Sequence, residues 1–347
     1  MNTAISRNQT ADVLKGLAVI FMIQVHIMEQ FASITASTSW IGKIAYFLGG
    51  PFCAPVFIGV MGYFLAVSNQ SFPYFLKRGI VLFLGGILLN IVRSIHLFIT
   101  IIHGKYNLDT LFFIFGADIL TLAGLSVLLI GFLRLISKKS LFLYIPILLL
   151  FAVSGNLIAM DKQAQNLFLN FVIGESDPSY FPLFPWFSYV LLAYIFKLIY
   201  DKYQSFIFPF SKFHWISVAL LSLIILIFTP YAFSISLNLS VYYHHSFVFF
   251  LWVIGFMLLY VLFINYLNNK FKNTKPIRYL SWTGKNVTVI YVIQWIIIGN
   301  IATAIYATQN LINSELWFIG ITLLSCALTF LFLKIKDYYK IKNEIFS

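Results

Sequence analysis

Apolar runs of membrane-crossing length, separated by short polar stretches, recur from one end of the chain to the other. A helix needs about 20 predominantly apolar residues to cross a bilayer. On that rule the pattern predicts ten spans, at 13–32, 44–67, 79–102, 110–134, 141–160, 180–200, 214–233, 246–267, 282–307 and 316–334. No Gly/Ser or Pro linker divides them, and neither a solenoid period nor paired broken segments of inverted-repeat type is visible. The expected fold is an all-α polytopic membrane protein, one bundle of about ten helices forming a single domain over residues 1–347. Gly49-Gly50-Pro51 and Pro55 interrupt the second run, which reads either as close helix packing or as a widened cavity. The longest stretch between runs, 161–179, holds an apolar piece (167–173) too short to cross, then Glu175 and Asp177. In Tyr242-Tyr243-His244-His245 the adjacent histidines would point about 100° apart on a helix, a poor metal pair, and they read as outer-surface residues without a role.

Composition agrees with this pattern and narrows it. Of the 347 residues 61% are hydrophobic and 10% charged, where a soluble domain carries about 25% charged residues. The 38 Phe, 20 Tyr and 7 Trp suit lipid-facing surface and interfacial belts, so no cofactor is needed to explain them. A net charge of +12 would suit nucleic acid, but its distribution argues otherwise. One set of alternate loops gathers Arg7, Lys77, Arg78, Arg134, Lys138, Lys139, Lys197, Lys202, Lys212, the cluster from Lys270 to Arg278 and the tail lysines. The other set holds Lys43, Lys105 and Lys162 against Glu29, Asp109, Asp161, Glu175, Asp177 and Glu315. The positive-inside rule then puts both termini in the cytosol, as an even number of spans requires. The first run begins like a secretory signal, but Asp12 and His26 interrupt it and no A-x-A site follows, so it is expected to be retained. Cys53 and Cys326 fall in apolar runs and fit no metal or disulfide pattern.

Candidate chemistry comes from the few polar residues inside the runs. His26 interrupts the first, and an ionisable side chain at that depth marks a functional site by default. Lys15 precedes it by eleven residues, which leaves only about 20° between the two on the helix surface. Counting rise per residue puts Arg93 with Asn90 and His96, Asp118, and Gln294 with Tyr291 at about the same depth as His26, roughly 20 Å from the inner surface. Arg93 and Asp118 read equally as a buried ion pair or as part of a polar pocket. An imidazole can take a proton from a hydroxyl or amine and return it to a leaving group, and neither a serine nucleophile elbow nor a metal-spaced cluster competes for that task. Spacing alone thus indicates an intramembrane acid/base site. A transporter or flippase using His26, Arg93 and Asp118 as a proton or substrate path is the alternative.

Several short segments resemble those of known transmembrane acyltransferases. Asp12-Val13-Leu14-Lys15-Gly16-Leu17-Ala18 followed by His26 resembles their opening D-x-x-R-G-L-A … H. The segment from Tyr180 through Pro182, Pro185 and Trp186 is similar to the Y-x-P-L-x-P-W stretch of heparan-alpha-glucosaminide N-acetyltransferase-like proteins. Gly284-Lys285-Asn286 with Tyr291 resembles a G-x-N-S-x-x-x-Y segment shared with the acyltransferase-3 family, and Phe115 to Leu125 is a looser match to F-G-x-L-x-x-x-G-L. The resemblance implies a membrane enzyme that moves an acyl group, often acetyl, from cytosolic acyl-CoA to a sugar or glycoconjugate on the far side. Carried over, it makes His26 the catalytic histidine, with Asp12 beside it in the motif, and gives Lys15 the position of the cofactor-side arginine; cytosolic Lys77, Arg78 and Lys285, with Asn286, suit acyl-CoA binding, while Lys77 and Arg78 read equally as positive-inside anchors. It leaves Asn90, Arg93, Asp118, Trp186, Tyr291 and Gln294 for the acceptor. Three departures stand out: lysine replaces arginine at position 15, losing the bidentate phosphate fork; Gln294 stands where relatives often carry histidine; and the stretch 31–43 has no histidine. The expected partners are acyl-CoA (acetyl-CoA first), a sugar-type acceptor and the lipid bilayer, with no nucleic acid and with a homo-oligomer left open. The expected location is a bacterial plasma membrane.

Overall fold

The computed structural model describes residues 8–154, 167–174, 179–207 and 211–346. Arg7, Asp161, Lys162, Glu175, Asp177 and the far end of the fifth expected run (155–160) lie outside the described residues. In chain order the helices are α1 (Gln9–Gln30), α2 (Ile34–Ser37), α3 (Trp40–Gly49), α4 (Ala54–Val67), α5 (Phe72–Arg93), α6 (Ile95–Ile102), α7 (Thr110–Ile114) and α8 (Ile119–Ile136). They continue with α9 (Leu141–Ser154), α10 (Leu183–Ile207), α11 (Lys212–Leu237), α12 (Leu239–Tyr243), α13 (Phe247–Phe271), α14 (Lys275–Lys285), α15 (Val287–Ile305) and α16 (Leu311–Phe346). Nine candidate spans among the described residues are long and apolar enough to cross a membrane, and α9 is a shorter apolar helix. These ten segments correspond to the ten expected runs. The protein is an all-helical, multi-pass integral membrane protein.

Four of the expected runs are broken: 44–67 between α3 and α4, 282–307 at Asn286 between α14 and α15, and two more nearer the polar residues of interest. The run at 79–102 stops at Arg93 and resumes as α6 after Ser94. The run at 110–134 is divided by Phe115–Asp118, so Asp118 is not a carboxylate partway along a helix. It is the N-cap of α8: its side chain accepts from the Ile119 N–H and from the backbone two residues further on, while the Thr121 hydroxyl accepts from the Asp118 N–H at 3.0 Å. Such a box satisfies amides that a helix start otherwise leaves unpaired.

The described contacts divide the chain into two compact units interleaved in sequence. One comprises Met1–Gly49, Arg93–His103 and Phe263–Ser347; the other comprises Gly50–Val92 and Gly104–Leu262.

In the first unit α1 is the central helix and packs against α14, α3, α15 and α16. Asn8 caps it by accepting from the Ala11 N–H at 3.2 Å. Asp12 in its first turn complements the positive end of the helix dipole and pairs with Lys15 at 3.1 Å. The approach of α1 to α14 is closer than side chains permit. A Cβ on Gly16 would stand 2.0 Å from the Leu280 carbonyl oxygen, and one on Gly284 would stand 1.7 Å from that of Asp12. At the opposite end of α1, the Ser33 N–H donates to the Gln309 carbonyl at 2.7 Å and the Gln309 N–H donates back to that of Phe31 at 2.8 Å. This short ladder, with Phe31 edge-on to Trp317 at 5.5 Å, fixes the helix terminus nearest His26.

In the second unit α10 is central, against α4, α9 and α8. Arg134 of α8 is buried and donates to the carbonyls of Leu65 and Ser68, each at 2.6 Å. It thereby caps the C-terminal end of α4, where unpaired carbonyls and the negative dipole end suit a guanidinium. Trp186, Tyr189, Tyr242 and His245 form a buried aromatic cluster in the same unit.

Candidate active site around His26

His26 is half-buried between the buried Val25 and Ile27. Its Nδ1 lies 3.2 Å from Gln294 Oε1 on α15. Since a carboxamide oxygen only accepts, the proton of the neutral ring sits on Nδ1 and Nε2 is the basic nitrogen. Gln294 is itself fully buried and directed by a second bond, its Nε2 donating to the Tyr291 carbonyl at 3.2 Å. Tyr291 thus contributes a backbone oxygen one turn earlier. The imidazole also lies against the Trp295 ring, with centroids 4.0 Å apart and planes inclined by 35°. Over that same indole lies the Arg93 guanidinium, 4.6 Å from its centroid.

Arg93 reaches α15 because its backbone does. A Cβ on Gly299 would be 2.5 Å from the Arg93 carbonyl oxygen. The next turn is pinned to α15 as well: the His96 N–H donates to Asn300 Oδ1 at 2.9 Å and its ring Nδ1–H to the Asn300 carbonyl at 2.8 Å. The structure thus brings His26 and Arg93 against Gln294 and Trp295 of α15 within the first unit, with Tyr291 bonded to Gln294 through its carbonyl.

Asp12 does not join His26. It lies fourteen residues back along α1, roughly 21 Å by helical rise, and is buried against Lys15. Lys15, exposed Lys285 and Asn286 belong to the same unit; Asn286 closes α14, its side chain donating to the Trp282 carbonyl at 2.9 Å. The remaining expected site residues, Lys77, Arg78, Asn90, Asp118 and Trp186, belong to the second unit. Lys77 and Arg78 are exposed early in α5, with Arg78 near the Tyr74 hydroxyl at 3.3 Å. Asn90 is fully buried and donates to the carbonyls of Ile114 (3.1 Å) and Gly116 (2.9 Å), holding the break that precedes Asp118. Trp186 is fully buried, its indole N–H given to the Tyr243 carbonyl at 2.7 Å.

His245 is not a surface residue. It is fully buried, with Nδ1 donating to the Tyr242 carbonyl at 2.9 Å and Nε2 accepting from the Tyr189 hydroxyl at 2.8 Å. Burial holds its pKa down to about 4. Trp295, the other residue missed from sequence, adjoins Gln294 in an apolar run and looks there like any interfacial aromatic.

The described helices are those of a multi-pass membrane protein whose first span carries an imidazole hydrogen-bonded to a buried amide. A family model described as an acyltransferase domain, that of the acyltransferase-3 family, matches residues 8–334, and the chain belongs to that family. It is a membrane acyltransferase. No curated protein and no solved structure matches the chain.

Proposed function

We propose that the protein transfers an acyl group, acetyl in the first instance, from cytosolic acyl-CoA to a carbohydrate-type acceptor at the outer face. The likeness to the heparan-alpha-glucosaminide N-acetyltransferase-like proteins belongs to this proposal, as does the placement of both termini in the cytosol of a bacterial cell. The observation that carries it is the bond from His26 to Gln294, because it commits the ring to the tautomer whose Nε2 is basic. Nε2 takes the proton of the acceptor hydroxyl or amine as that atom attacks the thioester carbonyl. The C–S bond then breaks and the imidazolium returns the proton to the departing thiolate. The charge bias of the loops places Lys15 and Lys285 on the donor side, where ammonium groups suit the phosphates of CoA. The thioester then has to reach roughly 20 Å along α1 to meet His26.

The test is incorporation of labelled acetyl from acetyl-CoA into membrane vesicles that contain the protein and the native acceptors. His26→Ala is expected to abolish incorporation at unchanged protein level. Normal incorporation by that variant would overturn the assignment, and solute uptake without acylation would favour transport instead.

A further inference from the structure

Among the described residues, the enclosed indole N–H groups of Trp186 and Trp252 are used by the fold and that of Trp295 is not. Trp186 donates to the Tyr243 carbonyl at 2.7 Å and Trp252 to that of Ile225 at 3.1 Å, so each ties two segments together. The Trp295 Nε1, equally enclosed, has no hydrogen-bond partner among the described residues. An unpaired buried donor is a cost that isoleucine, which fills most of the neighbouring positions of α15, would avoid. Hydrogen bonding within the fold therefore does not account for an indole here. What it does provide is its ring. The imidazole of His26 lies 4.0 Å from it and the Arg93 guanidinium 4.6 Å. Within the first unit one indole thus touches both the His26 imidazole and the Arg93 guanidinium.

We infer that Trp295 is a positioning residue for acyl transfer, whose ring surface holds the His26 imidazole in line with Gln294. This rests on the acyl-transfer reading and deepens it. The Gln294 bond fixes one atom of the ring, Nδ1, and leaves rotation about that contact open. A flat surface against the imidazole removes that freedom, so Nε2 faces one direction throughout the reaction. The same surface suits the charged intermediate, because an aromatic face attracts a cation and indole does so most strongly. When His26 carries the proton in transit, the indole beneath it offsets part of the repulsion from the Arg93 charge. Contact through the ring face and not through the N–H makes a specific demand on variants: phenylalanine should serve and leucine should not.

The experiment compares Trp295→Phe and Trp295→Leu in the full-length protein, measuring labelled acetyl transfer from acetyl-CoA in membrane vesicles together with the His26 imidazole proton resonances. Those resonances are assigned by their loss in His26→Ala, and an adjacent aromatic ring displaces them. Trp295→Phe is expected to keep kcat within about 3-fold of wild type and to keep the displaced resonances. Trp295→Leu is expected to lower kcat by about 10- to 100-fold, with KM for acetyl-CoA unchanged and the resonances moved toward free imidazole. Leucine matching wild type in kcat would overturn the inference, as would phenylalanine falling as low as leucine. A rise in KM with kcat unchanged would also overturn it, since ring placement would then act on binding. Failure of the acyl-transfer reading looks different: the wild type would incorporate no labelled acetyl, or His26→Ala would stay active, while the resonance shift, a property of the contact alone, would persist in the protein with its tryptophan.

Discussion

Replacing Gln294 by leucine removes the acceptor for the His26 Nδ1–H and keeps a side chain of similar size in a fully buried position. Two effects follow, and both act on the same ring. The Nδ1–H is left without its amide partner, which costs about 1–3 kcal/mol when a partner is removed from a buried group. The bond that favours the tautomer with basic Nε2 is then lost, so part of the population presents the wrong nitrogen. Taking the first effect alone as lost transition-state alignment, kcat should fall by roughly 5- to 150-fold. Binding of the donor should be unaffected, because Gln294 lies far along the membrane from Lys15, and KM for acetyl-CoA should stay constant. Gln294→Glu supplies the control: its carboxylate oxygen can accept from Nδ1–H at the same reach, and it should recover most of the lost rate at neutral pH. Gln294→Asn, one methylene shorter, should resemble leucine, since the present 3.2 Å contact has no length to spare. The assay is labelled acetyl incorporation in vesicles, normalised to protein level. Wild-type kcat in Gln294→Leu, or no difference between the Glu and Leu variants, would refute the claim that this amide sets the catalytic ring.

Other expectations concern stability and are read as melting temperatures of the detergent-solubilised protein. Asp118→Ala should cost about 0.5–2 kcal/mol by removing the cap of α8, and Asp118→Asn only a few tenths; equal melting of the two would deny the cap its role. Gly284→Ala puts a Cβ against the Asp12 carbonyl oxygen and should cost about 1–3 kcal/mol as α14 is pushed off α1, with unchanged melting as the contrary result. His245 should make stability depend on pH. Its pKa is depressed from 6.5 to about 4, so the unfolded chain binds its proton first. The contribution is complete above pH 6.5 and is lost as pH falls from 6.5 toward 4, a total of about 3 kcal/mol. His245→Gln, which can still accept from Tyr189, should flatten that slope, and a wild-type slope in the variant would show that other groups cause it.

How much of this was readable in advance depended on whether the information was local. Long apolar runs are local, so each reappears near its expected place among the described residues, as one helix or as two in succession. The cap at Asp118 was equally local, an Asp directly ahead of the apolar run of α8, which is an ordinary N-cap signal. Continuity of hydrophobicity across 110–134 concealed it, because an apolar run does not reveal where a helix stops and restarts within it. The meeting of His26 with Gln294 was only half readable. Rise per residue gives depth but not direction around the helix, so it also suggested a level that included Asn90 and Asp118, which the fold employs to hold the break before α8 and to cap it. Trp295 and His245 show the same limit from the other side. A tryptophan in an apolar run and a histidine in a polar loop look ordinary until another helix is laid against them. Their roles arise from contacts with residues 269 and 56 positions away along the chain, pairings that the pattern of one segment does not contain. Depth in an apolar run already singled out His26; the resemblance to acyltransferases supplied what periodicity could not, namely the reaction to expect there. Glycines then decide whether that residue can be reached: Gly16 and Gly284 let α14 close on α1, and Gly299 lets the Arg93 backbone close on α15. Those small residues carry no chemistry of their own, yet the second of these approaches brings the guanidinium to the indole on which the imidazole lies. Enlarging Gly299 should therefore impair transfer through Arg93 and Trp295 while leaving the bond from His26 to Gln294 formed.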